Sequence, residues 1–391
     1  MARMAGISGG PGRRALLRSL GACAAVAAVG ACDPASLTQL GGGSNTVDVA
    51  LLIPAGSTDG NVAFLAQNLN NAARLAIAGL EGVTVNLRTY DTAGNAERAG
   101  QLARQAIADG ADVIVGPLFA ASANAAGVAA SARNVPVISF SNNPAVAGGN
   151  VFVLGPTFDN TAQRILGYAR AQGKSRVVIV YGENEAERTG RDAIVRAAQS
   201  TGIAVVGTVG FEMSQEGVVN AVPSIVQQVE SSGADLLFLT SNTDTALPIV
   251  TQLLPESGLP PERIQYAGLT RWDVPASALS LPGVQGGWFA LPDTGAVNAF
   301  SARYTAAYGQ APHGIAGLGF DAIAAIGALA GAGQPITPQT LTQSRGFAGA
   351  SGAFRFLPNG SNQRALSIAT IRDKARRIID AAPGGFGLAG F

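Results

Sequence analysis

Ser122, Ser139, Ser141, Asn142 and Asn143 fall within one short stretch, Asp112–Asn143, and each follows an apolar run that reads as a strand. Hydroxyls and carboxamides of this kind donate and accept hydrogen bonds without carrying charge. Ser122 also lies near the start of an Ala-rich helical segment, where free backbone N–H groups hold anions. Such a set is equipped to hold a small polar molecule rather than to react with one. The chain has a single histidine, His313, after Ala311-Pro312 in a loop, so no Ser/His/Asp set forms away from it. No cysteine lies beyond Cys32, which removes thiol chemistry and Cys-based metal sites from the rest of the chain. No acidic motif marks a carboxylate pair. The expectation is a protein that is not an enzyme, with no cofactor and no metal.

The elements that must position these groups alternate. Asp112–Val115 is a short apolar run ending at Gly116-Pro117, Ala121–Arg133 is helical in composition, and Val135–Ile138 is apolar again. In an open parallel sheet, ligands bind outside the carboxyl ends of the strands, so both polar turns belong at one mouth. The same alternation runs through the chain from Val47. Val47–Ile53 is a strand and Leu69–Leu80 a helix; Val83–Tyr90 and Asn95–Asp109 repeat the pair. Val151–Leu154, Thr161–Gln172, Val177–Tyr181, Ala186–Ser200, Ile203–Val209, Val218–Ser231 and Leu236–Leu239 continue it. Strands spaced by helices argue for βαβ units with helices on both sheet faces. One sheet of so many strands is unusual, so the expected fold is α/β with two doubly wound parallel-sheet lobes. Val297–Tyr308 and Ile315–Ala332 read as a helix pair, and Phe354–Ile379 as a β-hairpin turning at Pro358-Asn359-Gly360-Ser361.

Composition excludes other classes. Hydrophobic residues make up 47% of the 391, charged residues only 13%, and the net charge is +1. There is no basic stripe of the kind that neutralises phosphates, so no nucleic-acid partner is expected. The N-terminus has its own character. Arg13, Arg14 and Arg18 precede the small, apolar Ser19–Ala31, too short for a span of about 20 residues, and this pattern is that of a signal peptide. It ends in Val29-Gly30-Ala31-Cys32, which resembles a bacterial lipobox and implies lipidation of Cys32; Leu20-Gly21-Ala22-Cys23 also fits but leaves almost no apolar run after Arg18. Arg13–Arg18 resembles a twin-arginine export signal. The expected location is the periplasm, with a lipid anchor in the inner or outer membrane, and Pro34–Asn45 as a flexible tether.

Four segments in order resemble the type I periplasmic binding proteins of the leucine/isoleucine/valine-binding group: VDVALLIPAGSTDG, DVIVGPLFAASANAAG, NVPVISFSNN and GAFRFLPNGSNQRALSIATI. The resemblance implies two lobes joined by three crossings, with Gly155-Pro156-Thr157 and Leu291-Pro292-Asp293 as two of them and the ligand in the cleft. It divides the body into one lobe at 47–155 plus 292–340 and the other at 156–291 plus 341–382; the N-terminal pattern gives a signal peptide at 1–31 and a tether at 32–46, and the Gly-rich 383–391 reads as a loose tail. The resemblance implies that Ser122 binds a ligand carboxylate, that Ser141 supplies a backbone contact, and that Asn143 stands where the family has a threonine. In the second lobe the family's aromatic position is held by Arg188 and its acidic contact by Thr270 or Arg271, with Trp272 and Asp273 alongside. Arginines there suit a carboxylate or phosphate better than an ammonium. The implied partners are a small polar ligand and the membrane subunits of an ABC importer. The block from Gly116 to Ala169 is also similar to the penicillin-binding-protein activator lipoproteins, which implies instead contact with a peptidoglycan synthase.

Overall fold

The computed structural model describes residues 45–387. The signal peptide, Cys32 and nearly all of the tether lie outside them. Among the described residues the strands form three sheets.

The first sheet is parallel throughout. Its strands are β1 (Thr46–Ile53), β2 (Thr84–Asp91), β3 (Val113–Val115), β4 (Val137–Ser139) and β5 (Val151–Val153), in the order β2-β1-β3-β4-β5. The connecting helices are α1 (Gly60–Ile77), α2 (Ala96–Ala108) and α3 (Ala120–Ser131). Val113–Val115 and Val137–Ser139 are fully buried, as the apolar runs of a sheet covered on both faces must be. Helix α1 begins well before the Leu69 expected from periodicity. The Asp59 side chain accepts from the Asn61 and Val62 N–H groups, which caps the helix there.

The second sheet holds β6 (Arg176–Gly182), β7 (Ala204–Phe211), β8 (Leu236–Leu239), β9 (Gln265–Gly268), β10 (Trp288–Pro292), β14 (Leu366–Arg372) and β15 (Ala375–Asp380), in the order β15-β14-β10-β9-β8-β6-β7. Its parallel part is extended by the antiparallel β14 and β15. Helices α4 (Phe158–Ala171), α5 (Glu185–Thr201), α6 (Gln215–Ser232) and α7 (Leu247–Glu256) cover it. Helices α8 (Thr294–Tyr308) and α9 (Ala316–Gly331) return to the first lobe, where Tyr304 bonds to Asn68 and Asn71 of α1. The short α10 (Pro338–Leu341) leads into a small antiparallel sheet of β11 (Phe347–Gly349), β12 (Gly352–Phe356) and β13 (Asn362–Arg364). The architecture is therefore α/β with two parallel-sheet lobes.

The chain from Phe354 to Ile379 makes two hairpins rather than the single one read from sequence. The first turns at the expected Pro358–Ser361, and the second at Asp373-Lys374, both with positive φ. Phe347, Phe354 and Phe356 pack in the core of the first sheet. This corrects the assignment of 341–382 to the second lobe: the polypeptide changes core after Arg364, and Ile368 and Ala369 enter the second. The tail is also tighter than expected as far as Phe386, which is buried with the Arg355 guanidinium 4.8 Å from its ring centroid.

Arg364 gathers the crossings. Its Nη2 donates to Leu154 O at 2.6 Å, and its Nη1 donates to Asp321 Oδ2 and to Ser351 Oγ, each at 3.0 Å. Ser351 O in turn accepts from the Asp293 N–H at 3.1 Å. Burial pushes the Asp321 carboxyl up against the pull of Arg364.

Candidate functional site

Gly116, at the end of β3, has φ +88°, and a Cβ there would lie 2.2 Å from Leu52 O. Only glycine fits this close approach to the neighbouring strand. From it the chain reaches α3, and Ser122, the third helical residue, is buried with no hydrogen-bond partner for its hydroxyl among the described residues. Buried hydroxyls nearly always have a partner, which sets Ser122 apart from the other serines of this region.

The loop after β4 is joined to this one. Ser139 Oγ donates to Pro117 O at 3.0 Å, and the Phe140 N–H donates to the same carbonyl at 3.0 Å. Along the loop the side chains then hold the backbone in succession: Ser139 Oγ accepts from Ser141 N–H, Ser141 Oγ from Asn143 N–H, and Asn143 Oδ1 from Ala145 N–H, at 3.1, 3.1 and 2.9 Å. Such local bonds favour turns over helix or sheet. They engage the Ser141 N–H that the family resemblance offered to a ligand, and the Asn143 N–H as well. The Ser122 hydroxyl is uncommitted, and the exposed Asn143 retains its Nδ2 donor outside these bonds.

Asp91, which sequence reasoning missed, completes this edge. Its Oδ1 accepts from Gly56 N–H at 2.8 Å and Ala93 N–H at 2.9 Å, tying the turn after β1 to the turn after β2. Burial raises its pKa, but those N–H groups and Arg98 outweigh burial and hold it below the ordinary carboxylate value. Its only sequence signal is its place at a strand end before Thr92-Ala93-Gly94-Asn95.

The second lobe is built otherwise. Arg188, in the first turns of α5, is exposed, with Glu183 Oε2 at 4.0 Å from its Nη2. The residue before it, Glu187, is buried, and its Oε2 accepts from Gly182 N–H, Thr240 Oγ1 and Ser241 Oγ at 2.6, 2.8 and 2.9 Å. It fastens the carboxyl ends of β6 and β8 to each other. Sequence reasoning passed over it because one acid in Glu185–Arg188 looks like any other on an exposed helix start.

After β9 the chain turns inward. Trp272 is fully buried, and a Cβ added at Gly268 or at Gly287 would lie 2.1 Å from its indole. It is a core residue of the second lobe, packed with Tyr266, Val284 and Phe289, which corrects the expectation that it lines the ligand site. Asp273 is held by two arginines: Arg271 reaches both carboxylate oxygens at 2.8 and 2.7 Å, and Arg376 of β15 reaches Oδ2 at 2.8 Å. Burial raises the Asp273 pKa, but the two guanidinium groups together outweigh burial and hold it below the ordinary value. Asp273 is thus a structural ion-pair partner and not a free acid, a second correction. Arg271 remains partly exposed, with one face on Asp273.

Ser122, in the first turn of α3, and Ser141 and Asn143, on the loop after β4, thus follow neighbouring strands whose ends are joined by the bonds of Ser139 and Phe140 to Pro117 O. Arg188, near the start of α5, and Arg271, on the loop after β9, stand on separate elements of the other lobe, with β8 between the strands β6 and β9 that precede them.

The sequence family described as periplasmic binding protein matches residues 46–376. No curated protein matches the chain significantly. Among solved structures, one assigned to a branched-chain amino acid ABC transporter of Rhodospirillum rubrum superposes with a TM-score of 0.70 at 19% identity, covering 85% of this chain and 100% of that one. The periplasmic ligand-binding protein of a branched-chain amino acid ABC transporter from Burkholderia xenovorans gives 0.62 at 20% identity, over 86% of this chain and 96% of that one. An ABC transporter solute-binding protein of R. palustris in complex with benzoate gives 0.51 at 18% identity, over 87% and 97%. At these identities the likeness is one of fold.

Proposed function

The chain belongs to the periplasmic binding protein family, and from that premise we propose that it is a non-catalytic, lipid-anchored ligand-binding protein serving ABC-type import. It holds a small, polar, carboxylate-bearing ligand of amino-acid type between its lobes. Ser122 and the Ser141–Asn143 loop meet the carboxylate, while Arg188 and Arg271 approach from the second lobe. The observation that supports this reading is the buried Ser122 hydroxyl without a partner, in the first turn of a helix, where a carboxylate oxygen completes its bonding. Two structural relatives are described as belonging to branched-chain amino acid transporters and another is a benzoate complex, so ligands with a carboxylate are the first to test. Cys32 carries the lipid, and the periplasm is the location that accords with the family.

The test is ligand-dependent melting of the mature chain with amino acids, aromatic acids and short peptides. A ligand at a hundred times its Kd stabilises the folded state by about 2.7 kcal/mol. A shift with at least one carboxylate-bearing compound, lost with its amide, supports the proposal. No shift with any of them, together with direct capture of a purified peptidoglycan synthase, overturns it in favour of a contact activator.

A further inference from the structure

Among the described residues three acids are more than nine-tenths buried: Asp273, Asp321 and Glu187. Buried charges are ordinarily paired with an opposite charge. Asp273 meets Arg271 and Arg376, and Asp321 meets Arg364. Glu187 meets no cation among the described residues; Arg188, its neighbour in sequence, is turned to Glu183, with 4.0 Å between Nη2 and Oε2.

The two oxygens of Glu187 are used unequally. Oε2 takes all three donors, the Gly182 N–H at 2.6 Å, Thr240 Oγ1 at 2.8 Å and Ser241 Oγ at 2.9 Å. Oε1 accepts from no described residue, and it is not sealed off by the protein. The three bonds fix the carboxylate to the ends of β6 and β8, which are parallel neighbours in the second sheet. It lies so close to β6 that a Cβ at Gly182 would be 2.9 Å from Oε2. Oε1 is therefore preorganised at the carboxyl ends of two central strands, where open parallel sheets bind their ligands. Neutral donors and the first turn of α5 support its charge, and none of them is a cation.

We infer that Glu187 is the second-lobe contact for the ammonium group of a zwitterionic ligand, an α-amino acid with a free amine. This role rests on the carboxylate reading of the first lobe and adds the residue that meets the opposite end of the ligand. An ammonium donates to Oε1 through a charge-assisted bond, and it brings the positive charge that Asp273 and Asp321 already receive from arginines. A ligand with the same carboxylate and no amine would cover Oε1 and strip its water without replacing it, which is costly for a charged group. One open oxygen thus sets the choice between the two.

The test is calorimetric titration of the mature chain with pairs that differ only in the amine: leucine and 4-methylpentanoate, phenylalanine and 3-phenylpropanoate, glutamate and glutarate. In at least one pair the amino acid binds more tightly by about tenfold or more, that is by about 1.4 kcal/mol. Glu187→Gln keeps the size of the side chain and an oxygen for the three donors; it removes that preference, while the des-amino acid binds as before. Glu183→Gln, at the exposed acid beside Arg188, leaves the preference in place. Where Glu187→Gln does not fold, a crystal structure of the wild-type chain with the preferred amino acid decides, with the ligand nitrogen expected within about 3.2 Å of Glu187 Oε1. A nitrogen held elsewhere overturns the inference. So does a preference that survives Glu187→Gln or is lost in Glu183→Gln instead. A des-amino acid that binds within about tenfold of its amino acid in every pair that binds also overturns it, yet leaves the carboxylate reading standing. If neither member of any pair binds, the carboxylate reading falls and the role of Glu187 falls with it.

Discussion

The loops after β3 and β4 and the loop after β9 occupy equivalent places, at the carboxyl ends of parallel strands, and use their polar groups in opposite ways. In the first lobe the side chains shape the backbone through short serine and asparagine bonds and leave one buried hydroxyl, Ser122, unmatched. In the second lobe the loop folds back, drives Trp272 into the core and closes Asp273 between Arg271 and Arg376. A polar group at a strand end is available to a ligand only when the protein has not already matched it. That criterion ranks Ser122 above Asp273, although an acid is the stronger hydrogen-bonding group.

Substitutions test this contrast most severely at Trp272. Removing a buried tryptophan destabilises by about 3–5 kcal/mol, so Trp272→Ala lowers the denaturant midpoint strongly. An unchanged midpoint with lost ligand affinity would return Trp272 to the site and dissolve the contrast. Ser122→Ala is the reverse case. Losing a hydrogen bond to a charged group costs about 1.5–3 kcal/mol of affinity, while stability holds or rises because an unmatched hydroxyl is removed. Titration of the variant with the carboxylate ligand, alongside its melting curve, reads both; a fall in stability without a fall in affinity counts against the assignment.

The third prediction uses pH. Asp273 has a folded-state pKa below the unfolded value, so its contribution is present above about 4 and is lost as pH falls through the depressed folded value. With both arginines partly exposed, the contribution is on the order of 1 kcal/mol. Asp273→Asn should therefore be less stable than the wild type at neutral pH and converge with it in acid. A constant difference between the two chains down to low pH would mean that the ion pairs are not its source. The smallest effect belongs to Arg188. Its 4.0 Å pair with Glu183 is exposed, so Arg188→Ala changes stability by about 0–0.5 kcal/mol. Any larger change in ligand affinity assigns the residue to the second-lobe wall.

The fold was largely legible because apolar runs and helical spacing are local. Leu236–Leu239 was read with its observed bounds, and α2 to within a residue at each end. The region from Thr240 to Gly287 was not legible as regular elements. Helix α7 contains Pro255 and starts beside Pro248, and β9 is only four residues long, so neither gives a clear period. The site divided in the same way. Ser122 and the serines after β4 stand out because hydroxyls cluster after apolar runs. Glu187 does not, since its bonds to Thr240 and Ser241 span more than fifty residues of chain.

The sequence by itself determined the alternation of strands and helices, the two polar turns of the first lobe, and the lack of thiols and of any histidine but His313 in the body of the chain. These depend on residue types at short spacing, where side-chain period and turn preference act directly. Only the tertiary structure decided that the polypeptide changes core after Arg364, that Trp272 is buried in the second core and Asp273 paired with two arginines, and that Ser122, Trp272, Asn362 and Arg364 keep unmatched groups. Whether a buried polar atom is matched depends on partners brought from distant segments by packing, and no local pattern encodes that.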